Sequence, residues 1–362
     1  MPRTWRALVV AAAALAALLL PTAPDARAAE RVITYSVTSQ GAVRGDLGTF
    51  MRVAAATLAD ARGWSLGGSL EFRRVASGGE FTLVLAAPSM IGRQGGCDAY
   101  YSCRVGRNVY INDDRWRGAT STWPHGVPSY QQYVITHEVG HWLGLGHAGC
   151  PSPGRTAPTM QQQSIGLQGC LSNMWPLIGE RDRAARNSGV RVWWTPLESR
   201  YLALGQERGP LGAPVSWELE TPDGWGRMTH YSRPGGASIY WHPWTGAHEI
   251  YGAIRTRWGQ LGWELGRLGY PVTGELPTPD GRGRFNHFAR PDGASIYWTP
   301  TTGAHEVYGK IRARWARQGW ERGPLGYPVS GEYAVPGGRR SDFEHGSIRW
   351  DSARKVAEVL PR

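Results

Sequence analysis

Lysine is almost missing from this chain: Lys310 and Lys355 are the only two among 40 basic residues. Arginine therefore carries the net charge of +11. No dense basic block stands out, which argues against nucleic-acid binding. Charged residues make up only 19% of the chain and 41% is hydrophobic, a balance that excludes a disordered polyelectrolyte. Long apolar runs are missing too. The longest, Ala7–Leu20, has 14 residues, short of the ~20 that a spanning helix needs. Cysteine is limited to Cys97, Cys103, Cys150 and Cys170, with no CxxC spacing, so zinc ligation by cysteines is not indicated.

What is present at the start reads as a leader. Arg3 and Arg6 precede the apolar run, and Ala26-Arg27-Ala28 forms a small-x-small cleavage signature. Residues 1–29 are thus expected to be a secretory signal peptide, leaving a secreted, extracellular or wall-associated protein with no transmembrane anchor. Removal deletes three arginines and one aspartate and leaves a charge of +9, compatible with attraction to an anionic wall polymer. In an oxidising compartment four cysteines read as two disulfides. The local pairing Cys97–Cys103 with Cys150–Cys170 is preferred among three connectivities. The interval between Glu30 and the first strand leaves no room for a propeptide.

The remainder divides into two grammars. Residues 30–188 read as mixed α+β. Strands are expected at Arg31–Val37, in LEFRRV, in FTLVLA and at Asn108–Asn112. A helix capped by Asp46 is expected to run to about Ala61, with Phe50, Val53, Ala54, Thr57 and Leu58 at helical spacing. Residues 189–362 are repetitive. Gly209–Pro214 (GPLGAP) recurs as Gly266–Pro271 (GRLGYP) and Gly323–Pro328 (GPLGYP), so Leu211, Leu268 and Leu325 stand 57 apart. GGASIYWHPWTGAHEIYGAIRTRW, from Gly235, recurs in the same register from Asp292. About three units of 57 residues form a Trp/Gly-rich repeat domain. A half-unit at each end predicts that Leu197–Leu204 closes the array against Ile348–Trp350. Trp241, Trp258, Trp298 and Trp315 read as repeat core. Trp225 and Trp244 become Arg282 and Thr301 one unit later and read as candidates for sugar stacking. His248 and His305, in the repeated GAHE, read as structural hydrogen-bonding groups.

The chemistry is expected in HEVGHWLGLGH, His137 to His147. Residues at i and i+4 share a helical face, so His137 and His141 project together from a helix over SYQQYVITHEVGHWL with Ser129 as N-cap. A continuing helix would carry His147 away. Gly144 ends the helix cheaply in the left-handed region and lets His147 return. Two ligands, a hinge and a third ligand suit one Zn2+ per chain with its fourth position open to water. Glu138, beside the first ligand, is the expected general base, taking a proton from water and returning it to the leaving amine. Gly140 costs about 1 kcal/mol in a helix interior and is expected to admit a close-packed segment.

HExxHxxGxxH resembles the metzincin motif of zinc metallopeptidases. The resemblance implies that His137, His141 and His147 are metal ligands, Glu138 the base and Gly144 the turn, above a methionine turn. Met160 in APTMQQQ fits that place, with Met174 the alternative. Gln162 stands where some metzincins carry a tyrosine ligand, so none is expected there. Val109 to Cys170 also resembles a family of secreted zincin-like domains from high-GC Gram-positive bacteria. The second half resembles LGFP repeats, with LGAP, LGYP and LGYP at the name motif. That implies a cell-envelope location and a cell-wall polymer as partner.

The expected activity is zinc-dependent hydrolysis of peptide bonds in a protein or peptide substrate, held at the envelope by the repeats. The alternatives are a peptidoglycan stem-peptide amidase or endopeptidase, and a non-catalytic wall-binding protein. Glu138 argues against the last, because a structural zinc needs no base. Subsite residues, the wall ligand and the oligomeric state are not assigned by the sequence.

Overall fold

The computed structural model describes residues 28–361. The expected leader, residues 1–29, lies almost wholly outside them. Among the described residues no helix is long and apolar enough to cross a membrane.

The first half builds one mixed sheet from β1 (Arg31–Gln40), β2 (Leu70–Arg74), β3 (Phe81–Ala86), β4 (Cys103–Val105) and β5 (Asn108–Asn112). Their spatial order is β2-β1-β3-β5-β4. All neighbours are parallel except the edge pair β4–β5. Helices α1 (Leu47–Ala59), α2 (Pro88–Ile91), α3 (Asp113–Gly118), α4 (Gly126–Trp142) and α5 (Ile178–Ser188) complete it. The near-continuous apolar run of β3 suits a central strand covered on its faces, and five of its six residues are buried. Asp46 caps α1, accepting from the Thr49 N–H at 2.7 Å.

Helix α4 starts one turn earlier than the expected N-cap at Ser129, with His125 at its N-cap. Pro128 falls in the first turn, where a missing N–H costs nothing. Ser129 lies inside the helix and accepts from Trp123 Nε1 at 2.9 Å. Tyr130, Val134, Ile135 and Val139 are buried in the main core, with Phe50, Leu58 and Ile111.

The second half places α6 (Pro196–Ala203) before a four-stranded antiparallel meander, β6 (Leu219–Glu220), β7 (Arg227–Tyr231), β8 (Ala237–His242) and β9 (Gly246–Tyr251). Helix α7 (Gly252–Gln260) and strands β10 (Leu276–Pro277), β11 (Arg284–Phe288), β12 (Ala294–Thr299) and β13 (Gly303–Tyr308) repeat the arrangement. So do α8 (Gly309–Ala316), β14 (Tyr333–Val335), β15 (Gly338–Phe343), β16 (Gly346–Asp351) and β17 (Val356–Pro361). The chain is α+β in both halves.

Each helix packs on the sheet that follows it. Leu197 and Tyr201 of α6 share a core with Ile239 of the first sheet. Ile348 shares one with Trp315 of α8. The expected closure is therefore corrected: α6 completes the first unit, and the last strands complete the third. A unit boundary drawn between a helix and the sheet that follows it makes the first helix and the last strands look, in sequence, like two halves.

The repeat motif has local causes. Buried Trp258 and Trp315 donate from Nε1 to the carbonyls of Gly269 and Gly326 at 3.1 Å. Those glycines sit at φ +71° and +69°, which disfavours a side chain. The next residue ties units together. Tyr270 Oη donates to Asp223 in the preceding unit at 2.7 Å, and Tyr327 Oη donates to Thr278 at 2.8 Å. The first unit has Ala213 at this place, where no preceding repeat offers an acceptor. Its neighbour is the first half instead: Thr156 Oγ1 donates to the Pro214 carbonyl at 2.6 Å. Arg62 donates to the Glu218 carbonyl at 3.1 Å. His248 and His305 Nε2 meet the carbonyls of Thr245 and Thr302 at 2.6 and 2.7 Å.

Candidate metal centre

Helix α4 and the turn after it bring His137, His141 and His147 together, with their nearest ring nitrogens all within 4.8 Å of one another. The turn follows from Gly144. Its N–H bonds the His141 carbonyl at 3.1 Å and its φ is +83°. Asn187 Nδ2 donates to the Leu143 carbonyl at 2.9 Å, satisfying a helix-end acceptor. The chain reverses, and His147 Nε2 comes within 3.1 Å of His141 Nε2.

Two of the three imidazoles are oriented from behind. His137 Nδ1 lies 2.8 Å from the Thr159 carbonyl, and His141 Nδ1 lies 2.8 Å from the Leu145 carbonyl. A carbonyl only accepts, so each Nδ1 carries the proton and each Nε2 keeps a free lone pair. Leu145 lies in the turn that Gly144 creates, so one glycine both returns His147 and orients His141. Burial, then the neighbouring His141, pushes the His137 pKa down to about 3. Burial lowers His141 and His147 as well. Each shift favours the neutral imidazole, the form a metal ion needs. Three neutral nitrogens without a carboxylate among them fit Zn2+.

Glu138 is 5% exposed and lines the same cleft as the histidines. Burial is the only cause acting on it, and it raises the carboxyl pKa to about 8. The cleft encloses about 560 Å3. One wall is formed by Asp98 and Tyr101 of the loop closed by the Cys97–Cys103 disulfide and by Arg104 just after it in β4. Gln162, Ser164 and Ile165 also line the cleft.

Met160 is fully buried beside α4. A Cβ on Gly140 would run into the Met160 sulfur and lie 2.9 Å from the Trp64 ring. Gly140 thus admits both side chains against the helix. Trp64 also donates from Nε1 to the Thr136 carbonyl at 2.7 Å. Met174 joins the core, and it is Met160 that touches the helix at the histidines. The Cys150–Cys170 disulfide spans the segment carrying Met160.

Four residues that the motif does not include hold this segment. Buried Glu180 accepts from the N–H groups of Thr159 and Met160 at 3.0 and 2.8 Å, and from Leu177 at 2.8 Å. Tyr133 Oη donates to the Gln161 carbonyl at 2.8 Å and accepts from the Gln163 N–H at 2.9 Å. The Gln163 side-chain amide donates to the Asn173 carbonyl at 2.7 Å and accepts the Asn173 N–H at 2.8 Å. Apart from the local Leu177 N–H, their partners are main-chain groups farther along the chain, so no local pattern announces their hold on this segment. The one available signal is Tyr133, one turn before His137 on the same helical face.

The crystal structure of archaemetzincin from Methanopyrus kandleri is similar at 14% identity, over 43% of this chain and 96% of that one, with a TM-score of 0.29. No curated protein matches the chain. Residues 18–184 match a family model described as a protein of unknown function, DUF3152. Residues 211–266, 268–323 and 325–360 match the LGFP repeat model, so the chain joins a segment similar to that family of unknown function to three LGFP-like repeats.

Proposed function

We propose that residues 30–188 form a secreted zinc-dependent metallopeptidase domain and that residues 189–362 hold it at the cell envelope. The observation that carries the reading is the convergence of three imidazoles, two of them oriented by main-chain carbonyls, on a cleft that also contains Glu138. His137, His141 and His147 would hold the ion. When bound, zinc supplies Lewis-acid polarisation of a carbonyl and acidifies a water.

The rest is work for the chain. Glu138 takes the proton of the attacking water on a carboxylate oxygen and delivers it to the leaving amine nitrogen. Burial suits it to that exchange, because a raised carboxyl pKa makes the ionised form a stronger base towards the water and the protonated form a ready acid towards the amine. Tyr133 and Glu180 keep the Met160 segment, and with it the Thr159 carbonyl behind His137, in place. The Cys97–Cys103 loop and the Gln162–Ile165 segment bound the substrate's path. The envelope role is supported by the match of the repeats to the LGFP model.

The test is zinc content by mass spectrometry on residues 30–362, beside His141→Ala and Glu138→Gln, with hydrolysis of casein and of purified peptidoglycan followed in parallel. One zinc per chain is expected, lost in His141→Ala and kept in Glu138→Gln. Hydrolysis should fall about 10²–10⁴-fold in Glu138→Gln. Casein cleavage supports a protein substrate; cleavage of peptidoglycan alone moves the substrate to stem peptides. A folded, zinc-free wild-type chain after zinc is supplied would overturn the enzyme reading.

A further inference from the structure

The cleft between the second and third repeat sheets encloses about 430 Å3. Four cationic side chains line it, Arg267, Arg290, Lys310 and Arg339, against the carboxylates Asp292 and Glu332. Both carboxylates are already engaged, Glu332 by Arg339 and Asp292 by Arg290. Arg267 and Lys310 are exposed, and neither forms an ion pair among the described residues. The cleft therefore carries a positive surplus. Its guanidinium groups are also held in place around one ring. Arg290 lies 4.6 Å from the Tyr308 centroid, and Arg267 and Arg339 donate to Tyr308 Oη at 3.1 and 3.2 Å. Side chains ordered in advance lose less freedom on binding.

The preceding unit is an internal control. Tyr251 keeps the hub there: Arg233 lies 4.3 Å from its ring, and Arg284 donates to its Oη at 2.8 Å while pairing with Glu275. The positions of Arg267 and Lys310, however, are Pro210 and Ala253. The arginine–glutamate–tyrosine hub belongs to the repeat's structure. The two unpaired cations do not, since the fold is built without them one unit earlier.

We propose that this cleft binds a sugar-phosphate unit of an anionic polymer, with the phosphate held by Arg267, Arg290 and Lys310 and the sugar against Trp350. A phosphate offers more acceptor oxygens than a carboxylate, and guanidinium forks match its geometry. The volume lies within the range of small-ligand sites and leaves room for a ring beyond the phosphate. Trp350 lines the cleft and provides an aromatic face. This deepens the envelope-binding half of the proposed function and rests on that reading only for the source of the ligand.

The test is calorimetric titration of residues 30–362 with glucose 1-phosphate, glucuronate as the carboxylate counterpart, and retention on purified cell walls before and after acid removal of phosphodiesters. Arg267→Ala with Lys310→Ala is compared with Arg73→Ala with Arg208→Ala, which removes equal charge elsewhere; unchanged melting confirms folding. The cleft pair should weaken glucose 1-phosphate binding about tenfold or more, the worth of a charge-assisted contact, and the control pair less than about twofold. Equal weakening in both pairs, equal affinity for glucuronate, or no wild-type binding overturns the proposal. Wall retention without glucose 1-phosphate binding sinks the cleft and spares the envelope reading. Binding without wall retention does the reverse. Retention that vanishes with the phosphodiesters identifies the polymer as the source.

Discussion

The carboxylate of Glu180 accepts the Met160 N–H at 2.8 Å, so an acidic residue on α5 fixes the backbone of the segment beneath the histidines. The same carboxylate takes the N–H groups of Thr159 and Leu177. Glu180→Ala leaves three donors without their acceptor in a buried place. An unsatisfied buried group costs about 1–3 kcal/mol, so a loss of about 3 kcal/mol or more is expected in urea unfolding. Zinc affinity should fall with it, because the Thr159 carbonyl orients His137. Unchanged zinc affinity in a destabilised Glu180→Ala protein would limit Glu180 to a folding role.

Gly140→Ala sets two effects against each other. Helix propensity favours alanine by about 1 kcal/mol. The added Cβ meets the Met160 sulfur and the Trp64 ring, and overpacking of this kind costs about 1–3 kcal/mol. Trp64 is further tied to Thr136, so it cannot yield freely. Net destabilisation is expected by thermal melting; a rise in Tm would show that Met160 moves aside at no cost.

Tyr270→Phe removes the hydroxyl that reaches Thr221 and Asp223 across a unit boundary. About 1–2 kcal/mol should be lost, and the loss should appear as weaker coupling between units. Broader urea transitions, followed at several probes, would register it. A transition that shifts but stays equally sharp would argue that the apolar contacts alone carry the coupling.

His287 carries a pH dependence. Burial, and then the Arg312 charge, lowers its pKa to about 4. Its Nδ1 lies 2.7 Å from Ser295 Oγ, which also accepts from Arg312 Nε at 2.7 Å, so the serine's proton points to the imidazole. The folded protein binds this proton less readily than the unfolded chain. The contribution is therefore full above pH 6.5 and is lost as pH falls from there towards 4. Solvent screening at this half-buried ring reduces it to about 1 kcal/mol. His287→Asn should flatten the stability profile between those values, and an unchanged slope would assign the acid sensitivity elsewhere.

Much of the site was legible because a short segment encodes it. The offsets among His137, His141, Gly144 and His147 describe a helix, its end and a return, and Gly140 announced close packing. Period-57 identity located the repeats. The supports were not legible, since Glu180, Gln163 and Asn173 act on main-chain groups whose positions only the folded chain defines. The start of α4 was misplaced because Ser129 has the side chain of an N-cap, although Pro128 before it fits the first turn of a longer helix. The closure of the array was inferred from a half-unit at each end, a pattern that a unit boundary drawn between each helix and its sheet produces equally well.

Ala213 gives the array a direction. In the later units a tyrosine at this place clasps the turn before it, whereas the first unit leans on Thr156 and Arg62 of the preceding half. The first half thus occupies the seat of a zeroth repeat, and growth is open at the far end alone. Each duplicated unit would lengthen the molecule by one fixed step and leave the histidine cleft untouched.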